Sequence, residues 1–235
     1  MTENNTTDIP RIARESLIIE RLPLAGARVI DIGCGEGWLS LLVATEASTV
    51  IGIDPSATAL ERAKAKNKTD NALFQLASAD NLPLDSTWAD IAIYYNSLHH
   101  IPAALQLKAL KETARVLADG AMLCIVEPIA SGSCYELFKP VDDESAVYDT
   151  TYKLILEAAN GIEFQQEAEE LFVDCYTYRD FGQFLDNVLV VDERRAEVLP
   201  ALEDILRERY DRLGEAVEGG RRYDQVHRLN LLRKL

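Results

Sequence analysis

From residue 27 to residue 128 the chain alternates compact apolar runs with segments of helical period. The runs are "ARVIDIG" (27–33), "STVIGID" (48–54), "ALFQLAS" (72–78), "ADIAIYYNS" (89–97) and "AMLCIVEP" (121–128). Near-continuous Val, Ile and Leu without a polar alternate is the pattern of a strand buried on both faces. Between them, "WLSLLVATEA" (38–47), "SATALERAKAKN" (56–67) and "AALQLKALKETARVL" (103–117) read as helices. Ser56 is placed to cap the second, and Gly120 to end the third in a left-handed turn. Such alternation predicts an α/β domain: a doubly wound, Rossmann-like parallel sheet with helices on both faces.

Outside that stretch the pattern loosens. Residues 11–21 read as a short amphipathic helix, 145–161 as a helix stopped at Asn160–Gly161, and 169–178 as a strand. Segments 178–190 and 193–214 read as helices, the latter kinked or broken at Pro200, and 223–232 as a last strand. The expected organisation is a single domain over 1–235. It comprises an N-terminal helical segment (1–24), a core (25–128), helical cap insertions with a sixth strand (129–215) and a C-terminal strand (216–235).

Composition narrows the partners. A formal net charge of −15 argues against nucleic acid, whose binding draws on Lys and Arg. The tail from Arg221 onward is locally basic, with Arg221, Arg222, Arg228, Arg233 and Lys234 against Asp224, and is read as a solvated terminal strand. No apolar run approaches the roughly 20 residues that span a bilayer, and the first ten residues lack a signal pattern, so a cytoplasmic protein without a membrane partner is expected. Cys34, Cys124, Cys134 and Cys175 show no CxxC and no zinc spacing, so neither a metal site nor a disulfide framework is expected.

The first strand ends in "VIDIGCGEGW" (29–38), where Gly33, Gly35 and Gly37 form G-x-G-x-G. In an open α/β sheet ligands bind beyond the carboxyl ends of the strands, and glycine lets a ligand approach the backbone. A dinucleotide fingerprint would need glycine at position 38, which is Trp38. Asp54 closes the second strand, where an acid can accept from both hydroxyls of an adenosine ribose or begin the helix that follows. In "ASADNLPLDS" (77–86), Asp80 can accept from an exocyclic amino group such as that of adenine, and Leu82 can cover one ring face.

These segments, together with "ADIAIYYNSLHHI" and "ARVLADGAMLCIVEP", in this order and spacing, resemble the class I S-adenosylmethionine-dependent methyltransferases, in particular small-molecule enzymes with a "methyltransferase domain 11" type core. The resemblance covers residues 27–128. It implies a seven-stranded sheet, mostly parallel with an antiparallel last strand, S-adenosylmethionine as cofactor and S-adenosylhomocysteine as product. The cofactor-binding set it implies is Asp31, Gly33, Cys34, Gly35, Gly37, Asp54, Pro55, Ala79, Asp80, Asn81, Leu82 and Asn96. Asp31 would sit near the methionine amino group, Asp54 would hold the ribose, Asp80 with the Ala79 backbone would read adenine, and Asn96 would lie near the sulfonium.

The expected reaction is methyl transfer to O, N or C of a small molecule by in-line displacement, in a monomer or homodimer. A general base is needed only where the acceptor loses a proton as it attacks. The candidates are His99 and His100 in "NSLHHIP", with His100 preferred; either can instead pack or cap the next helix. Arg11 or Arg14 could clamp a cofactor carboxylate or stand in solvent. The aromatics Tyr94, Tyr95, Tyr135, Phe138, Tyr148, Tyr152, Tyr176, Tyr178 and Phe181 could wall an acceptor pocket or fill a core. Two further readings are a non-catalytic cofactor-binding module that works through a protein partner, and an NAD-dependent oxidoreductase.

Overall fold

The computed structural model describes residues 9–191 and 193–235. The strands are β1 (Arg28–Ile32), β2 (Thr49–Asp54), β3 (Ala72–Leu76), β4 (Ala89–Tyr95), β5 (Leu117–Pro128), β6 (Phe164–Tyr178), β7 (Glu215–Val217) and β8 (Gly220–Lys234). The helices are α1 (Arg14–Arg21), α2 (Trp38–Val43), α3 (Ala57–Lys66), α4 (Ala103–Val116), α5 (Ser133–Phe138), α6 (Ser145–Ala159), α7 (Phe181–Val191) and α8 (Leu199–Leu213), with a 3-10 turn at Glu193–Glu197. The sheet has eight strands in the order β3-β2-β1-β4-β5-β8-β6, with β7 beside β8 off this path. The β2–β3, β1–β2, β1–β4 and β4–β5 pairs are parallel. Strand order therefore reverses between β1 and β4, the place where a doubly wound sheet opens a crevice. The expected α/β doubly wound architecture is present. The count is eight strands rather than seven because the short β7 pairs antiparallel with β8.

The chain divides into two compact units. One comprises Arg14–Glu127, Asp149–Glu170 and Arg228–Leu235. Its core is the two-faced apolar content of the parallel strands, including Ile30, Ile32, Ile51, Ile53, Ala92 and Ile125, closed by Leu110 and Ala114 of α4 and Ile155 of α6. Tyr94 is fully buried there and shares a 2.8 Å hydrogen bond with Thr113, which satisfies its hydroxyl inside the core. Ser56 caps α3 by accepting from the Ala59 N–H at 3.2 Å, as the sequence implies. Gly120 does not stop α4. The helix passes straight into β5, and Leu117 and Met122 pair with Ala89 and Ile91, so the residues between them loop out. Gly120, at φ 76°, supplies the left-handed turn of that bulge.

Among the described residues, the other unit comprises 9–13, Pro128–Tyr148 and Leu171–His227. Its core is aromatic: Tyr178, Phe181, Phe184, Tyr210 and Tyr223 pack with Leu137, Val188 and Leu206. Tyr178 and Phe181 are thus core side chains, with Phe138 and Tyr176 packed against them. Pro200 lies in the first turn of α8, where a missing N–H costs nothing, so the expected helical run breaks into a 3-10 turn and a helix.

The basic tail is the strand β8, and its cations meet acids. Arg222 pairs with Glu215 at 2.5 Å, Arg228 with Glu169 at 3.2 Å and Lys234 with Glu163 at 3.2 Å, and Arg233 pairs with Glu167. The tail is the terminal strand expected, with its cations paired to acids rather than solvated. Among the described residues no helix is long and apolar enough to cross a membrane.

Candidate functional site

Four parallel strands of the first unit end at the same edge, and the candidate residues follow from their last positions. After β1 the chain turns through Gly33–Gly37. The Gly33 and Cys34 N–H groups donate to the Ile53 carbonyl at 2.7 and 3.0 Å, which ties the turn to the end of β2. Asp54 completes the tie: its Oδ2 accepts from the Gly35 N–H and its Oδ1 from the Ser56 N–H, both at 2.8 Å. Glu36, at the tip, pairs with Arg62 at 2.9 Å and with Lys66, both on α3.

The three glycines do different work. All have positive φ, at 78°, 53° and 79°. A Cβ on Gly33 would collide with the Cβ of Ser97. One on Gly37 would lie 2.7 Å from the Phe74 ring and 2.9 Å from Ala63. A Cβ on Gly35 would meet nothing within 4 Å. Gly33 and Gly37 are therefore small because protein packs against them, and Gly35 alone keeps bare backbone beside open space. The sequence treats the three glycines alike, while their surroundings differ.

Asp31, the penultimate residue of β1, is 1% exposed. It accepts from Ser40 Oγ at 2.6 Å. Burial pushes its carboxyl up to about 7, against the pull of the Ser40 hydrogen bond, and the nearby Asp54 adds to the rise. Among the described residues no cation is paired with it. Cys34 is buried beside it, and burial together with the Asp31 and Asp54 charges raises its thiol far above the ordinary range, so it behaves as an inert small hydrophobe.

Around the third strand end, Asp80 accepts from Lys108 Nζ at 2.9 Å. Lys108 and then Ser78 hold its carboxyl below the usual range. The Asn81 N–H closes a turn on Ser78 at 3.1 Å, and Pro55 is exposed after β2. Leu82 is buried in the main core, with Ala79 packed against that core. Its backbone N–H donates to Glu112 at 3.1 Å.

The end of β4 is the most constrained corner. Asn96 has φ 50°, a left-handed conformation that Asn tolerates better than most residues, and its N–H donates to Val126 at 2.8 Å. Its side-chain Oδ1 is buried without a hydrogen-bond partner. Ser97 Oγ donates to the Ile32 carbonyl at 2.6 Å, next to Gly33. The Leu98 N–H donates to Glu127 Oε1 at 2.9 Å, and the other Glu127 oxygen meets His99 Nδ1. His99 and Glu127 side chains are 3% and 8% exposed. His100 is exposed, its ring centroid 4.0 Å from that of His99. At the mouth of the glycine turn, the exposed Trp38 ring meets Tyr95 edge-on at 5.1 Å, and the Arg14 guanidinium lies 4.9 Å from the Trp38 centroid.

Residues 29–120 match the family model of the methyltransferase domain. Over that segment the chain is similar to the methyltransferase domain. It is 34% identical over 110 residues to a 27-O-demethylrifamycin SV methyltransferase of Amycolatopsis mediterranei, covering 44% of this chain and 40% of that protein. It is 31% identical over 140 residues to a malonyl-[acyl-carrier protein] O-methyltransferase of Buchnera aphidicola, covering 58% and 53%. The matched segments thus span about half or less of those relatives' lengths. The crystal structure of a protein described as a putative methyltransferase from Bacillus halodurans shares the fold, with a TM-score of 0.65 and 20% identity over 94% of this chain and 98% of that one. The YcgJ protein from Bacillus subtilis does likewise, with a TM-score of 0.63 and 19% identity over 94% and 97%.

The structure gathers Asp31, Gly35, Asp54 and Asn96 at the strand ends where the sequence puts them. Four partners escape sequence reasoning: Ser40 on Asp31, Lys108 on Asp80, Ser97 under Gly33 and Glu127 on His99. Glu127 alone leaves a sequence signal, as an acid closing the apolar run "MLCIVEP".

Proposed function

We propose that this chain transfers the methyl group of S-adenosylmethionine to a small-molecule acceptor. One observation carries the reading: the turn after β1 presents bare Gly35 backbone pinned by Asp54, beside Asp31, a buried carboxylate with no cation among the described residues. A ligand with an ammonium group and a ribose diol supplies what these groups lack. Asp31 would take the ammonium, and Asp54 has lone pairs left for the ribose beyond the two backbone N–H groups it already accepts. The Asn96 Oδ1, an orphan acceptor, would face positive charge near the sulfonium. Asp80 would read the adenine amino group from a carboxylate that Lys108 holds ionised.

When bound, the cofactor supplies a methyl group already activated by positive sulfur. The protein then orients the acceptor in line and excludes water, which can supply several kcal/mol of the barrier. A small-molecule acceptor is supported by the relatives' names, by the net charge of −15, and by a basic tail whose cations are paired with acids. The test is calorimetric titration with S-adenosylhomocysteine, followed by incubation with methyl-labelled cofactor and a metabolite extract. Tight binding with labelled product supports the enzyme. Tight binding with no transfer supports a cofactor-holding module instead, and absence of binding removes the reading altogether.

A further inference from the structure

We propose that Glu36 is a positioning residue for cofactor binding, whose pairs with Arg62 and Lys66 clamp the glycine turn in its receptive shape; this deepens the cofactor reading above and rests on it. The turn from Gly33 to Gly37 carries only two side chains, those of Cys34 and Glu36. Cys34 is buried. Glu36 is then the side chain by which the tip of the turn is held from outside. Its carboxylate meets Arg62 Nη1 at 2.9 Å and also Lys66 Nζ. Arg62 and Lys66 stand four residues apart on α3, so one face of that helix presents both cations.

A turn with three glycines needs such a hold. Glycine adopts either sign of φ with ease and loses more freedom on ordering than any other residue. Packing fixes the two flanks. The Gly33 and Cys34 N–H groups donate to Ile53, and Gly37 lies against Phe74 and against Ala63 of α3. The middle has no such wall: Gly35 faces open space, and its N–H is held by Asp54. The other oxygen of Asp54 accepts from the Ser56 N–H, and Ser56 caps α3. The cations of α3 return to Glu36, the neighbour of Gly35. The circuit Gly35–Asp54–α3–Glu36 is thus closed. Opening it at Glu36 frees the residue next to Gly35, and the bare backbone and the acid proposed for the ribose lose their register together.

The clamp acts on binding more than on the fold. The Glu36, Arg62 and Lys66 side chains are 35%, 53% and 54% exposed, and pairs this exposed contribute little to global stability. A turn ordered in advance binds more tightly, because the ligand does not have to order it. Lys66 and then Arg62 hold the Glu36 carboxyl below its usual range, so the clamp is ionised at neutral pH. Salt screens it, as it does any exposed pair.

Two measurements on the full chain decide it. The first is hydrogen exchange of the Gly35 amide in the ligand-free protein, read by 15N–1H spectra. Glu36→Gln should exchange that amide at least about threefold faster, with the β1 amides unchanged. Equal Gly35 protection in the two proteins overturns the proposal. The second is calorimetric titration with S-adenosylhomocysteine. The variant should bind at least about threefold more weakly, while its ligand-free melting temperature stays within about 4 °C of the wild type. Wild-type affinity should fall more steeply than that of the variant from about 0.05 M to about 1 M salt. Unchanged affinity or parallel salt dependence overturns the clamp, and lower melting without either effect makes Glu36 merely structural. Reversing the charges, with Glu36→Lys, Arg62→Glu and Lys66→Glu together, should restore Gly35 protection and affinity. No recovery in a variant that melts like the wild type refutes action through these cations. Absence of S-adenosylhomocysteine binding in the wild type sinks the cofactor reading separately, because Gly35 exchange is measured without ligand.

Discussion

Replacing Asp31 with Asn should stabilise the ligand-free protein and weaken its hold on the cofactor, in a pH-dependent way. The carboxyl rises from 3.8 to about 7 on folding because burial outweighs the hydrogen bonds it accepts from the Ser40 hydroxyl and backbone. A shift of about three units corresponds to about 4 kcal/mol. The sign follows from proton binding. Between about pH 4 and pH 7 the folded state holds a proton that the unfolded state has released, so stability falls as pH rises through that window and levels off above it. Asn keeps an oxygen for Ser40 and cannot ionise. In urea denaturation without ligand, the Asn variant should match the wild type near pH 4 and exceed it by as much as about 4 kcal/mol at pH 8. Other titrating groups cancel in the difference. With S-adenosylhomocysteine the order reverses, because a bound ammonium favours the ionised carboxylate. Wild-type affinity should rise with pH up to about 7 and that of the variant should not. A stability difference that stays constant from pH 4 to pH 8 would refute the buried-charge argument. Pronounced pH dependence of stability combined with identical cofactor affinity would separate the charge from the ligand.

The glycine turn divides by substitution. Gly33→Ala should lower the melting temperature sharply, because its Cβ would run into Ser97. Gly35→Ala meets open space and should cost only the left-handed strain of about 1–2 kcal/mol while disrupting cofactor binding by calorimetry. Equal losses of stability would dismiss the distinction. Asp54→Ala should weaken S-adenosylhomocysteine by at least about tenfold, the equivalent of one charge-assisted hydrogen bond, and unchanged affinity would remove the ribose role. Lys108→Ala should change stability by less than about 1 kcal/mol, because its pair with Asp80 is a surface one. A larger loss in urea would mean that the pair holds the loop in place.

What could be read from the chain alone was whatever period and strand position determine. Strand-end residues must point into the crevice, so Asp31, Asp54 and Asn96 could be placed from their position after "VI", "VIGI" and "AIYY". Helix α5 and strand β7 could not, because six and three residues are too few to show a period. The stop after α4 was misplaced because glycine signals a left-handed turn without saying whether a helix or a bulge needs it. Nor could the sequence separate the three glycines. Gly33 and Gly37 answer to Ser97 and Phe74, residues 64 and 37 positions away that only folding brings close. The same distance hid the contact of Glu127 with His99. Two adjacent histidines are equivalent as a string. They separate only on folding, which buries His99 and leaves His100 exposed. Since Ser97 couples that loop to the glycine turn, a change at Gly33 should disturb the His99 ring signals as well as the fold, whereas a change at Gly35 should leave them in place.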